Sequence, residues 1–292
     1  MRAMDNRHPA ALAPLFFALL LFTVFCAHPG VTATSLLGAG AFLLTRLTGR
    51  ELVRGGGYSL LLWGLIALLN PLFVHSGVTP LFFLNGNPVT REALLAGIGT
   101  GGMLVATLWW CRALSQVMTG DKWVVLLAPL GGRLSLTLSV ALRYVPRLRA
   151  QAAAIRRGEA ALAPPPETKK DILRRGLRNT AALIGWSLEE AVDTARTMRS
   201  RGWGLPGRSR CRPLRFRWGD GLTLAAVALG TGLLAAGLLT GGLDFTYYPR
   251  VSPPLSLPGL WIGLGGMGLL AGYPAVSEWE EAIRWRCSRR RI

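Results

Sequence analysis

Apolar runs of roughly helical-span length, punctuated by arginines, dominate the pattern of this chain. Six of them stand out, at about 10–27, 29–45, 58–74, 93–111, 221–243 and 257–273. Most approach the ~20 residues a helix needs to cross a hydrocarbon layer of roughly 30 Å. Between the fourth and fifth runs the pattern changes to one of amphipathic helices. From 144 to 157, Val145, Leu148, Ala152 and Ile155 recur every three to four residues with arginines between them. From 169 to 202, Leu173, Leu177, Ala181, Ile184, Leu188, Ala191, Ala195 and Met198 form one broad face. This second helix, about 30 residues long, predicts a rod of about 45 Å. The breaker Pro164-Pro165-Pro166 separates the two helices.

The flanks of the apolar runs give them direction. Arg2 and Arg7 precede the first run, and Arg46, Arg50 and Arg54 follow the second as a cytoplasmic loop. The third run is open to interruption at Asn70-Pro71. The segment 75–90 has no Lys, Arg, Asp or Glu, which makes it an outer loop, with a turn at Asn85-Gly86-Asn87-Pro88 lying against the interface. Trp109 and Trp110, followed by Arg112, read as an interfacial aromatic belt with an anchoring cation. The stretch 123–142 is apolar enough to cross, yet Arg133 at its middle costs roughly 2.5–3.5 kcal/mol on translocon scales. A crossing there would also put the basic segment that follows outside the cell. It is therefore expected to lie on the cytoplasmic surface as an amphipathic helix or helical hairpin.

Charge sharpens the division. Of 292 residues, 51% are hydrophobic, yet the formal net charge is +18. Residues 143–217 hold 18 of the 33 Lys and Arg against six acids, a local +12. A soluble basic protein has no need of repeated uncharged runs, so the expected class is an all-α integral membrane protein. It has about six transmembrane helices, both termini in the cytoplasm, and a cytoplasmic coupling region of long amphipathic helices. The expected organisation is a four-span bundle over 1–122, the coupling region over 123–217, and two further spans with a basic tail over 218–292.

Candidate chemistry is sparse. Cys26, Cys111, Cys211 and Cys287 are far apart and form no C-x-x-C, so neither a disulfide frame nor a zinc site is expected. The six runs carry no ionisable residue with which to bind a coupling ion, which disfavours an autonomous carrier. Glu51, Glu92, Asp220 and Asp244 fall at run edges and read as ordinary interfacial charges. No hydrolase or phosphate-cradling motif occurs, so any ATP must be bound by a partner, and no cofactor or catalytic residue is expected here.

Each amphipathic helix runs to an Arg-Gly pair, Arg157-Gly158 and Arg201-Gly202. A cation in the last turn with glycine as C-cap is a common way to end a helix, worth roughly 0.3–1 kcal/mol. Two such tips in a chain without chemistry of its own point further, because a guanidinium held at a rigid tip can fork onto a partner's carboxylate.

The segments Asn70-Pro71-Leu72-Phe73, Gly86-Asn87-Pro88, Ala141-Leu142-Arg143-Tyr144-Val145-Pro146 and above all Thr197-Met198-Arg199-Ser200-Arg201-Gly202-Trp203-Gly204 resemble the transmembrane T component of energy-coupling factor transporters, the CbiQ-like family. The resemblance covers most of the chain. It implies a non-catalytic subunit of the cell membrane that joins two ABC-type ATPase subunits to a small membrane substrate-binding S component for uptake of a vitamin or metal ion. Each of two Ala-Arg-Gly motifs of the family docks one ATPase. Carried over, Arg201 and Gly202 form the second motif, with Ser200 in place of alanine and Met198 beside it. Arg157 and Gly158 form the first, with Arg156 in place of alanine. The alternative from charge alone is a membrane-anchored polybasic protein that binds anionic lipid or nucleic acid; the resemblance implies no nucleic-acid partner.

Overall fold

The structure, a computed structural model, describes residues 3–74, 77–84, 87–127, 132–162, 168–206, 216–248 and 257–289. His75, Asn85-Gly86, the triple proline, Cys211 and the last two arginines lie outside them. Nine α-helices occur among the described residues: α1 Pro9–Phe25, α2 Pro29–Arg46, α3 Gly49–Phe73, α4 Arg91–Val117, α5 Gly120–Leu127, α6 Gly132–Leu162, α7 Lys169–Ser200, α8 Trp218–Leu239 and α9 Leu257–Arg289. The strands β1 Pro80–Leu84 and β2 Asn87–Thr90 form a short antiparallel hairpin with Phe82 opposite Val89 and Leu84 opposite Asn87. The chain divides into two compact units, Met1–Lys122 with Leu214–Ile292, and Trp123–Pro213. The N- and C-terminal segments, separate in the sequence reading, therefore make one bundle.

Among the described residues four helices are long and apolar enough to cross a membrane: α3, α4, α8 and α9 to Arg284. The shorter α1 is also apolar, at 17 residues, and α2 has 18. Several boundaries differ from the pattern. The arginines 50 and 54 lie inside α3, which starts at Gly49 after a two-residue connector, so there is no loop there. Thr48 Oγ1 donates to Glu51 Oε2 at 2.8 Å and fastens that start. At the other end α3 continues through Pro71 to Phe73. Asn70 Nδ2 donates to the Ala93 carbonyl at 2.7 Å, which ties α3 to the beginning of α4. Helix α9 runs sixteen residues past the expected 273, through Pro274, so the segment read as a basic tail begins as helix.

The core of the bundle surrounds α1, whose Leu12, Leu15, Phe16 and Leu19 are buried. Phe16, Phe42 and Trp110 form an aromatic cluster with ring centroids 6.2 to 6.5 Å apart. Trp110 is thus a core residue and not part of an interfacial belt. Its indole N–H donates to Ser35 Oγ at 3.0 Å, and Ser35 shares a 2.7 Å hydrogen bond with Thr23, so the buried hydroxyls are satisfied. Helix α3 lies outside this core and leaves Leu60, Leu61, Leu65 and Leu68 exposed, as a lipid-facing surface does.

Small residues allow the closest approaches. A Cβ on Gly97 would lie 2.9 Å from Asn70 Cβ and 3.0 Å from the Ala67 carbonyl, so the Gly97/Gly101 pair faces α3. A Cβ on Gly237 would lie 2.9 Å from Gly263 Cα, and one on Gly266 would lie 2.9 Å from the Gly230 carbonyl. These glycines let α8 and α9 meet backbone to backbone. Gly268 and Gly272 have nothing within 4 Å and contribute no such contact. Gly237→Val is expected to force the pair apart and cost about 1–3 kcal/mol. Gly232→Val, at a position of α8 with open space around it, is expected to unfold at the wild-type temperature. Thermal melts of both in detergent read the difference.

Candidate functional site

The end of α7 is built by backbone hydrogen bonds. Gly202 N–H donates to the Arg199 carbonyl at 3.0 Å and Trp203 N–H to the Met198 carbonyl at 3.0 Å. Gly202 has φ +76°, the left-handed conformation that glycine adopts without a Cβ penalty. This is a Schellman turn, with Arg201 as C-cap and Gly202 as the following residue. Ser200 Oγ donates to the Thr197 carbonyl at 2.9 Å and turns inward on its own helix. Arg201 is exposed and forms no ion pair among the described residues. Met198 is half-buried just before it.

The first Arg-Gly pair is different. Helix α6 runs unbroken from Gly132 to Leu162, through Pro146, so Gly158 lies within it and ends nothing. The stretch beginning at Tyr144, which the sequence reads as a separate helix, continues the one that starts at Gly132. Arg157 Nε donates to the Ala153 carbonyl at 3.3 Å, and Arg156, Arg157 and Gly158 are all exposed. A Cβ on Gly158 would touch nothing within 4 Å.

Helices α6 and α7 pack as an antiparallel pair. Tyr144 donates to the Ser187 carbonyl at 2.9 Å and stacks on Trp186, while Arg147 pairs with Glu190. Burial and the Glu190 charge push the Tyr144 phenol above its ordinary pKa, with Arg147 opposing. Farther along α6, Glu159 accepts from Asn179 Nδ2 at 2.6 Å and lies 3.6 Å from Arg178. The Arg157 site therefore sits beside residue 179 of α7, and Arg201 lies 22 residues farther on, about 33 Å along the helix. The two candidate docking sites stand well apart. Between them Ile184 and Leu188 stay exposed, as do Leu173 and Leu177 nearer the start of α7, which has no buried residue.

A second constellation escaped the sequence reading. The side chains of Arg46 and Glu278 are only 1% and 6% exposed and form an ion pair. Arg46 also donates to Asp5 at 2.9 Å and lies 5.1 Å above the Phe42 ring. Glu278 accepts from the Met4 N–H at 3.3 Å, and Lys122 Nζ donates to the Met4 carbonyl at 3.2 Å. Burial pushes the Lys122 ammonium below its ordinary pKa; Arg46 acts in the same direction, and Asp5 and Asp220 oppose it. Asp220 is likewise buried, accepting from the His8 N–H at 2.9 Å and the Arg217 N–H at 2.8 Å. Asp220 is thus a structural cap of α8 and not an interfacial charge. Buried Glu92 similarly accepts from Thr79 Oγ1 at 2.7 Å and anchors the hairpin to α4.

This polar clasp gathers the N-terminal turn Ala3–Asn6, the end of α2, the start of α8 and the far half of α9 at one end of the bundle. Lys122 and Arg217 are where the chain leaves the bundle toward residues 123–213 and returns from them. Lys122 is tied to the N-terminal segment directly, at the Met4 carbonyl, and Arg217 through Asp220, which also accepts from the His8 N–H. Among the described residues no group of three or more His, Cys, Asp or Glu stands where a metal ion could be held. No protein-family model matches the chain, and no curated relative does.

Proposed function

We propose that this chain is the non-catalytic transmembrane coupling subunit of an energy-coupling factor importer. The observation that carries the reading is the Schellman-capped end of α7, which presents Arg201 on a fixed backbone at the tip of a 32-residue helix. In this reading one cytoplasmic ABC-type ATPase docks at Arg201-Gly202 and a second at Arg156-Arg157-Gly158, and the ATPases bind the ATP. Helices α6 and α7 pass their motion to the bundle. A small membrane S component follows that motion and releases a vitamin or metal ion inward.

The bundle crosses the cell membrane six times. At 1.5 Å per residue α1 and α2 reach about 25 and 27 Å, close to the hydrocarbon thickness, and join the four longer helices. The clasp at one end favours this topology, since α1 and α8 start there and α2 and α4 end there. With that end inside, both termini and the basic segment are cytoplasmic. The exposed apolar row of α7 suits a membrane partner or the bilayer surface.

Co-purification of the tagged full chain from native membranes tests the reading. Two ATPase chains and a small membrane protein are expected to accompany it; a chain that comes down alone overturns the proposal. Lys169→Gln and Lys170→Gln, at the opposite end of α7 from Arg201, are expected to retain the same companions. A polybasic surface instead makes every cation nearly equivalent and binding steeply salt-dependent.

A further inference from the structure

Beside the clasp, the N-terminal segment, the start of α8 and the C-terminal part of α9 border an open cavity of about 610 Å³. Arg7, Arg217 and Arg284 line it, together with Glu280 and Glu281. Asp220 also borders it, but both its oxygens are already engaged by backbone N–H groups. The other five charges make no ion pair among the described residues. Glu280 and Arg284 even stand four apart on α9, the spacing and order at which such side chains pair on a helix, and do not. Charges of both signs therefore face one space without closing on each other.

Two details show how the space is kept. A Cβ at position 219 would overlap Arg7 Nη1, so only glycine there lets the guanidinium lie over the first turn of α8. Trp218, on the lining, is 85% exposed, and Trp279, next to Glu280 in the chain but outside the lining, is exposed as well. Tryptophans exposed at the end of a membrane bundle mark the headgroup level. Half-exposed Leu222, one turn deeper on α8, continues the lining toward the apolar surface.

We propose that this cavity binds the headgroup of a zwitterionic aminophospholipid. The phosphodiester is held by the arginines, the primary ammonium by Glu280 and Glu281, and an acyl chain leaves along Leu222. The inference needs the bundle to sit in a bilayer and is independent of ATPase docking. A bound lipid would bridge the N-terminal segment, α8 and α9, where the chain returns from residues 123–213.

Native mass spectrometry of the delipidated full chain tests this against phosphatidylethanolamine, phosphatidylcholine, phosphatidylglycerol and water-soluble glycerophosphoethanolamine. Phosphatidylethanolamine is expected to bind about tenfold tighter than its trimethylated analogue, which lacks N–H donors for the carboxylates. Glu280→Gln with Glu281→Gln is expected to erase that preference, and Arg284→Gln and Gly219→Ala to weaken retention of both lipids. Equal binding of the ethanolamine and choline lipids overturns the proposal. So does a preference for phosphatidylglycerol that grows when the two glutamates are neutralised, the mark of a simple anionic-lipid patch. Saturation by the soluble headgroup at lipid-like concentrations overturns the assignment to a lipid.

Discussion

Arg201→Glu is expected to remove an ATPase subunit from the complex while leaving the chain in the membrane. The side chain is exposed, and the turn that positions it is made by backbone bonds from Gly202 and Trp203. Reversing its charge therefore does not disturb the fold. At a docking site it removes a forked, charge-assisted contact and leaves a carboxylate facing a carboxylate. Truncation of such pairs costs about 2–5 kcal/mol, roughly a 30- to several-thousand-fold loss of affinity. Arg201→Lys, which keeps charge but not the planar fork, is expected to fall between the two. Gly202→Val strains a residue at φ +76° by about 1–2 kcal/mol or more and re-aims Arg201 without touching it. Co-purification quantified against the chain itself checks all three. Retention of both ATPases by Arg201→Glu at the wild-type ratio would sink the docking assignment. Arg157→Glu is expected to act more weakly, because Arg156 adjoins it and Gly158 continues the helix.

Arg46→Met is expected to destabilise the bundle by about 3–5 kcal/mol, because Glu278 then remains buried without its cation. Asp5 loses its anchor in the same step. Glu278→Met leaves the guanidinium uncompensated and is expected to cost a similar amount. The double replacement, two apolar side chains of similar bulk, is expected to recover much of the loss, as removal of whole buried pairs often does. Thermal unfolding in detergent measures the cycle. Single variants that melt like the wild type would mean that the pair carries no stability. If the clasp also transmits motion, the double variant is expected to keep ATPase companions yet transport poorly.

The elements that the sequence made legible were those with long, regular signals. Helix α7 starts at Lys169 and ends one residue before Arg201, because a 3.6-residue apolar period and an Arg-Gly stop occur together there. The same stop signal misled at Gly158. Glycine ends a helix in this way only when it takes the left-handed conformation itself, as Gly202 does; Gly158 does not, and α6 continues through it. The amphipathic period expected from Tyr144 is only the second half of α6, which starts at Gly132 and continues through Pro146. The β1–β2 hairpin had a usable signal in Asn85-Gly86 between apolar residues, which was read as a loop because the segment is short and uncharged.

The sequence by itself determined the class of molecule: apolar runs too long and too numerous for a soluble core, a basic middle, and an arginine at the end of a long amphipathic helix. Those are local properties, fixed by neighbours within one or two turns. Tertiary structure alone decided which charges are buried. Arg46 and Glu278 are 232 positions apart, and Lys122 reaches a carbonyl 118 positions away. A charge at the end of an apolar run looks interfacial until helices from both halves of the chain close around it. The physical reason is desolvation: it depends on what surrounds a group in space, and no local pattern of residues encodes that.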